Sequence, residues 1–299
     1  MPGAAAIINP NAPASKRIHL FYNTNTKNLG IQLRDESKTV DETETFVPSD
    51  TDQPGLIVNP SQITSTDLTG VNIVVGFTAK PKETTVSHEN CGCDPTQNDV
   101  SIISPVYKPI SATEVSNLTI ASTSSDSTAY IFYLTGTDFN TTTINEITLG
   151  EDSPGSYENT VRILPGSSLA AYYVAEQDNR YILYQAHKPV RLHEYSPNTE
   201  SVSDTELVNS GDAKPNTPLA ATIVDGKVYL YYIDGSNQLR VITKTGGSWG
   251  SSSPVASAHA SVDDASQIAI VPAANGNHIF YTAQGDTKYK FQHIVDKRT

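Results

Sequence analysis

The chain has 299 residues, with 20 Lys and Arg against 32 Asp and Glu and a formal net charge of -12. That balance disfavours nucleic acid and anionic membrane surfaces as partners, and the apolar run over residues 4–8 is far too short to span a bilayer. One methionine, with abundant Thr, Ser and Asn, suits a solvated β protein rich in turns.

From the N-terminus, a strand of small and aliphatic residues over 4–8 is followed by an apolar strand ending in an aromatic, Tyr22. The same pair of signals recurs about every 50 residues, a period that fits one small four-stranded sheet with its turns. The aromatic ends fall at Tyr22, Phe77, Tyr133, Tyr184, Tyr232 and Tyr281, and the small-residue strands are predicted at 4–8, 56–58, 118–121, 169–172, 219–222 and 268–270. Alanine is what crowding near a central axis selects, so each first strand is placed innermost. Third strands alternate, as over 190–194 and 238–242, and the Asp234-Gly235-Ser236-Asn237 turn before the latter is a hairpin signal. Six such units predict an all-β, six-bladed β-propeller, a single domain over 1–299 with about 50 residues per blade. Fourth strands are weakly marked. The last unit runs out after its third strand near 289–295, so either the N-terminal segment closes the ring or the last blade has three strands.

Within the second unit an insertion carries Cys91-Gly92-Cys93 beside His88, Glu89 and Asp94. Structural zinc draws paired ligands from two separated knuckles, and no second cysteine pair exists, so no metal is assigned. A strained disulfide, two free thiols or a special turn remain alternatives, and the insertion is a candidate lid over one mouth of the ring. Asn117 and Asn140 head glycosylation sequons, which with the solvated composition favours a secreted protein or one in the secretory-pathway lumen, whose signal peptide would lie outside this sequence. No nucleophile elbow and no Gly-rich phosphate loop is present, and the inner strands carry almost no carboxylates for glycoside hydrolysis. No cofactor is expected. A closed ring has few free edges, so a monomer or weak dimer is expected.

Residues 4–7 followed by Lys16-Arg17-Ile18-His19-Leu20-Phe21-Tyr22, and Val228 to Trp249 with Gly246-Gly247-Ser248-Trp249, resemble blades of the six-bladed fungal fucose-specific lectins. The resemblance implies clefts that grip fucose with an Arg three residues before the anchor aromatic, a Glu on the third strand and a Trp on the fourth. Here the first of those positions holds His19, Val74, Tyr130, Tyr181, Tyr229 and His278. The glutamate is matched by Glu146 and, with a one-residue shift, by Glu194, and Trp249 is the sole tryptophan. With no blade uniting all three, the chain looks more like a repurposed member, similar to the fungal intermolecular hetero-Diels-Alderases of tropolone sesquiterpenoid pathways. That resemblance implies dehydration of a hydroxymethyl tropolone-like polyketide to a quinone methide and its coupling to a humulene-type terpene. The alternative is a fucose- or glycan-binding lectin with degenerate sites. Partners are accordingly small hydrophobic substrates or glycans.

Such a cycloaddition needs no nucleophile or metal, only a proton donor near the leaving oxygen and two partners held in one orientation. Tyr181, Arg191 and His193 are the catalytic candidates, with Arg191 and Arg240 read as equivalent third-strand positions that clamp an anionic oxygen. His19, Tyr130, Tyr172, Tyr173, Glu194, Tyr229, Arg240, Trp249 and His278 are candidate substrate-binding residues, with the fourth unit as the preferred wall. For each of these side chains the alternative is ordinary half-buried packing with the polar tip in water.

Overall fold

The computed structural model describes residues 3–38, 44–46, 56–79, 98–113, 117–149, 155–157, 161–197, 202–258, 260–286 and 290–298. The Cys91–Cys93 insertion, with His88, Glu89 and Asp94, lies outside them.

Six antiparallel sheets form the six-bladed ring that the repeat predicts. The innermost strands are Ala4–Ile8, Ile63–Leu68, Ile120–Ser124, Ala170–Val174, Ala220–Val224 and Ala269–Ala273. Their side chains, mostly alanine with Ile63, Ile120 and Ile270 among them, surround a narrow central channel of about 100 Å³. The second strands are Ile18–Asn23, Val71–Ala79, Ala129–Thr135, Asn179–Gln185, Lys227–Ile233 and Gly276–Thr282. The third strands are Leu29–Arg34, Asn98–Ser104, Thr143–Thr148, Leu192–Ser196, Leu239–Thr245 and Phe291–Asp296. Fourth strands are short: Glu44–Phe46, Lys108–Thr113, Gly155–Tyr157, Ser203–Glu206, and in blade 5 the pieces Ser248–Trp249 and Ser253–Pro254.

Blade 6 is three-stranded among the described residues. No strand is shared across this seam among the described residues; Ile18, Leu20 and Tyr22 of blade 1 pack on Ala269, Val271, Phe280 and Phe291 of blade 6, Gln267 accepts from the Ala4 N–H at 2.9 Å, and Arg34 lies 5.7 Å from the Phe280 ring. Burying that many large apolar side chains supplies most of what a shared strand would otherwise contribute.

Strand parity then sorts every side chain into one of two neighbouring clefts. Tyr184 and Ile182 face blade 3, while Leu183 and Tyr181 face blade 5. Tyr232 and Leu230 face blade 4, while Tyr231 and Tyr229 face blade 6. The anchor aromatics are therefore blade-to-blade core, with Tyr184 and Tyr232 fully buried.

Blade 2 departs from the sequence reading in two places. Its innermost strand is Ile63–Leu68; residues 56–58 instead form a connecting segment that touches the second strand through a single Ile57–Thr78 bridge. The register pairs Ile63 with Gly76, as Ala4 pairs with Tyr22 and Ile120 with Tyr133, so the anchor position of blade 2 is Gly76. Phe77 consequently points the other way, into the core shared with blade 3. The vacant anchor volume is taken by neighbours: a Cβ on Gly76 would lie 2.9 Å from both Ile103 and Ile63.

Candidate functional site

The six clefts between blades are built at homologous positions, which makes their chemistry directly comparable. One position lies on the third strand opposite the residue before the anchor. It holds Ile31, Ile102, Glu146, Glu194, Val241 and His293 in blades 1 to 6. Glu146 and Glu194 are in the same register, so the one-residue shift expected for Glu194 is not present. Both carboxylates are buried and each faces the following blade, where a cation meets it.

Between blades 3 and 4, Arg180 binds Glu146 with two charge-assisted hydrogen bonds of 2.6 and 2.7 Å. Its guanidinium lies 4.7 Å from the Tyr130 ring, and Tyr130 stacks on Tyr173 at 6.2 Å. Tyr173 in turn donates to Asp178 at 2.5 Å, and that hydrogen bond to a carboxylate, with Asp178's charge, pushes its phenol up to about 12. Alternation sets this arrangement: Arg180 stands four residues before its anchor, so it faces backward onto blade 3, as Tyr173 of the neighbouring strand does.

Between blades 4 and 5 the same plan is rebuilt from different positions. Lys244 on the third strand of blade 5 donates to Glu194 at 2.6 Å, and Tyr172 donates to the other oxygen of that carboxylate. Tyr172 stacks on its cross-strand partner Tyr181 at 5.0 Å. The ammonium of Lys244 lies 4.7 Å from the Tyr181 ring and 5.8 Å from Trp249. Burial, and then the charge of Glu194, raise the Tyr172 phenol far above its ordinary value, so it stays a proton donor. Trp249 arrives through a tight turn at Gly246 and Gly247, both with positive φ, that pairs it directly with Lys244. Its indole Nε1 is buried and has no hydrogen-bond partner.

The remaining clefts lack this pairing among the described residues. His278 and His293 join ring to ring at 2.8 Å in the closing seam, with Asn275 on the other nitrogen of His278. Burial holds both well below the usual histidine value, at about 4 for His278 and about 3 for His293; next to burial, Arg298 adds to the lowering of His278, and His278 and then Arg34 add to that of His293. Tyr229 is buried between blades 5 and 6 with the Lys227 ammonium 5.3 Å from its ring. His19 is half-buried beside Phe21, and burial lowers its pKa.

Of the residues singled out from sequence, Tyr172, Tyr181, Glu194 and Trp249 converge in one cleft, and Tyr130 and Tyr173 in the next. The trio Tyr181, Arg191 and His193 does not converge. His193 faces the other side of blade 4, bound through Nδ1 to Asp204 at 2.9 Å, and Asp204 also accepts from Tyr184. Arg191 precedes the third strand, half-buried, 4.0 Å from Glu206. The expected equivalence of Arg191 and Arg240 is corrected by the register: Arg240 lies opposite the anchor Tyr232, as His193 lies opposite Tyr184. Arg240 meets Asp212 at 3.2 Å and Ser252 at 3.1 Å, the partners of the Tyr232 hydroxyl. Asn140 is exposed in a turn, whereas the Asn117 amide nitrogen is buried at the channel mouth.

The sequence reading did not include Arg180 and Lys244, the cations that pair with Glu146 and Glu194. The position three residues before the anchor lies on the face shared with the same blade's glutamate. In the folded ring the cation comes from the following blade, so its parity is opposite. Pairing across the Gly246-Gly247 turn was the available signal for Lys244 beside Trp249.

No sequence family and no curated protein matches this chain. Solved structures do match over nearly its whole length. SapL1 lectin in complex with alpha methyl fucoside is 13% identical, covers 99% of this chain and 96% of its own, and superposes with a TM-score of 0.64. A variant of the Aleuria aurantia lectin in complex with Fucalpha1-6GlcNAc is 13% identical over 98% of this chain and 94% of its own, with a TM-score of 0.66. AofleA from Arthrobotrys oligospora is 14% identical, covers 99% of this chain and 87% of its own, and gives 0.65. The chain shares the six-bladed propeller fold of these fucose-binding lectins and of AofleA.

Proposed function

We propose that this protein is a propeller lectin with two neighbouring sites for a fucose-class sugar, one at the blade 3–4 cleft and one at the blade 4–5 cleft. The observation that carries this reading is the repetition of one plan in both: a buried third-strand glutamate, a cation from the next blade and a pair of stacked tyrosines. Aromatic faces take the C–H face of a sugar, and charged donors and acceptors at fixed positions bind its hydroxyls. The glycans bound by proteins of the same fold point to the sugar class. Binding follows in a titration with α-methyl fucoside. A glycan array without any fucosylated ligand above background would remove the reading.

A second reading is favoured by one feature confined to the blade 4–5 cleft. There a phenol kept protonated, Tyr172, stands with Lys244 beside an indole and a second phenol. A proton donor against an aromatic wall is what dehydration of a hydroxymethyl tropolone and its hetero-Diels-Alder coupling to a humulene-type alkene require. Incubation with both substrates tests this: accelerated adduct formation that falls in Tyr172→Phe supports it, and an unchanged rate excludes it.

A further inference from the structure

The cleft between blades 2 and 3 has the same backbone plan as the two charged clefts and the opposite lining. Ile102 stands where Glu146 and Glu194 stand, and Leu149 stands opposite Ala129, four residues before its anchor, where blade 5 sets Lys244 opposite Val228. With Leu68, Ile110 and Ile147 these residues form the aliphatic wall of an open cavity of about 630 Å³, whose rim carries Thr69, Ser127 and Thr148; that volume is within the range of small-molecule sites. Two irregularities lie in the sheet beside it. The ladder slips between Val74 and Val75 and again between Val100 and Ser101, and bulges of this kind turn the outer strands of blade 2 away from their neighbour.

One charged residue is in this lining, the exposed Lys108 at the start of the outer strand and cross-strand partner of Ile102, and no ion pair joins it to another described residue. Val71 and Val106, which flank the lining segments in sequence, are large apolar side chains left in solvent, at 48% and 71% exposure. We infer that this cavity binds an amphipathic monocarboxylate, a fatty or terpenoid acid whose body fills the aliphatic pocket and whose single charge meets Lys108. A single flexible ammonium matches a monoanion; two guanidinium forks, as a phosphate ester or dianion would favour, are absent from the described lining. The inference concerns a site apart from the two sugar clefts and does not depend on their reading.

The test uses the full chain with dodecanoate and, as the uncharged control, dodecanol, followed by calorimetry. Dodecanoate binds the native protein and dodecanol binds at least fivefold more weakly. Lys108→Gln brings the two to similar affinity, and Ile102→Trp, which fills the pocket, abolishes binding of both. A thermal melt on Ile102→Trp confirms that the ring is intact; should it fail to fold, Leu149→Phe is the second pocket-filling variant with the same expected loss. Equal dodecanoate affinity in native protein and in a folded pocket-filling variant, or a dodecanoate preference unchanged in Lys108→Gln, overturns the assignment.

Discussion

The blade 4–5 cleft and the blade 2–3 cleft occupy corresponding places on the ring and differ at the positions that decide their chemistry. In one, Glu194, Lys244 and Tyr172 form a buried hydrogen-bonded cluster closed by Tyr181 and Trp249. In the other, isoleucine and leucine at the matching positions leave an open aliphatic cavity. The propeller backbone tolerates both because each blade is held by its own ladder and by the anchor layer beneath. The outer cleft positions are then free to diverge, whereas a charge buried there must be matched from the next blade.

The sharpest way to break this comparison is to unpair the charged cleft. Glu194→Ala leaves the Lys244 ammonium and the Tyr172 hydroxyl without their acceptor and is expected to cost about 3–5 kcal/mol in urea unfolding. The paired change Glu194→Leu with Lys244→Met is expected to cost far less, since no charge is stranded. Equal losses for the single and paired variants would show that the cluster is not a matched unit.

The closing seam is a third solution at the same positions, with His293 in place of the glutamate. The unfolded chain takes up protons near the ordinary value of 6.5, whereas the folded chain holds His278 neutral to about pH 4 and His293 to about pH 3. Stability present above pH 6.5 is therefore lost as pH falls toward 4, by about 3 kcal/mol for His278. Arg34 and Arg298 share that environment and deepen the loss, while Asp35 opposes it. Melting temperatures from pH 7 to pH 4 are expected to fall more steeply for the native chain than for His278→Gln with His293→Gln. Parallel curves would free the seam of any role in acid sensitivity.

Transplanting the charged plan sharpens the comparison from the other side. Ile102→Glu alone places a carboxylate against the aliphatic wall with only the exposed Lys108 across the ladder to meet it, and is expected to destabilise by about 1–3 kcal/mol. Adding Leu149→Lys is expected to recover roughly 1 kcal/mol of it, read as coupling in a double-mutant cycle. Smallest of all, Arg180→Lys keeps the charge but loses the two-pronged bond to Glu146 and the stacking over Tyr130, weakening sugar binding by about 1 kcal/mol in calorimetry.

Much of the ring was legible in the sequence because the repeat of core side chains follows the strand spacing: five anchors and the small-residue axis follow from spacing and side-chain size, whereas the last unit left two ways of closing the ring open, and the fold shows three strands there among the described residues. Blade 2 misled because Gly76 carries no side chain at the anchor, so Phe77 one residue on supplied the aromatic signal. Its inner strand, Ile63–Leu68, is built from Thr and Ser where the other blades use alanine. The sites were legible only in part. Tyr172, Tyr181, Glu194 and Trp249 carry visible chemistry, but Arg180 and Lys244 complete their clefts from the adjacent blade, and a pairing between repeats leaves no trace in either repeat alone. His193 and Arg240 looked like site residues by type, and the fold uses them to hold the hydroxyl partners of the anchors Tyr184 and Tyr232.

The stoichiometry of sugar binding tests the two-cleft account most directly. Calorimetric titration with α-methyl fucoside is expected to give two sites per chain, falling to one in Arg180→Ala and to one in Lys244→Ala. Saturation at a single site unaffected by either change, or no saturable binding by the folded native chain, contradicts it.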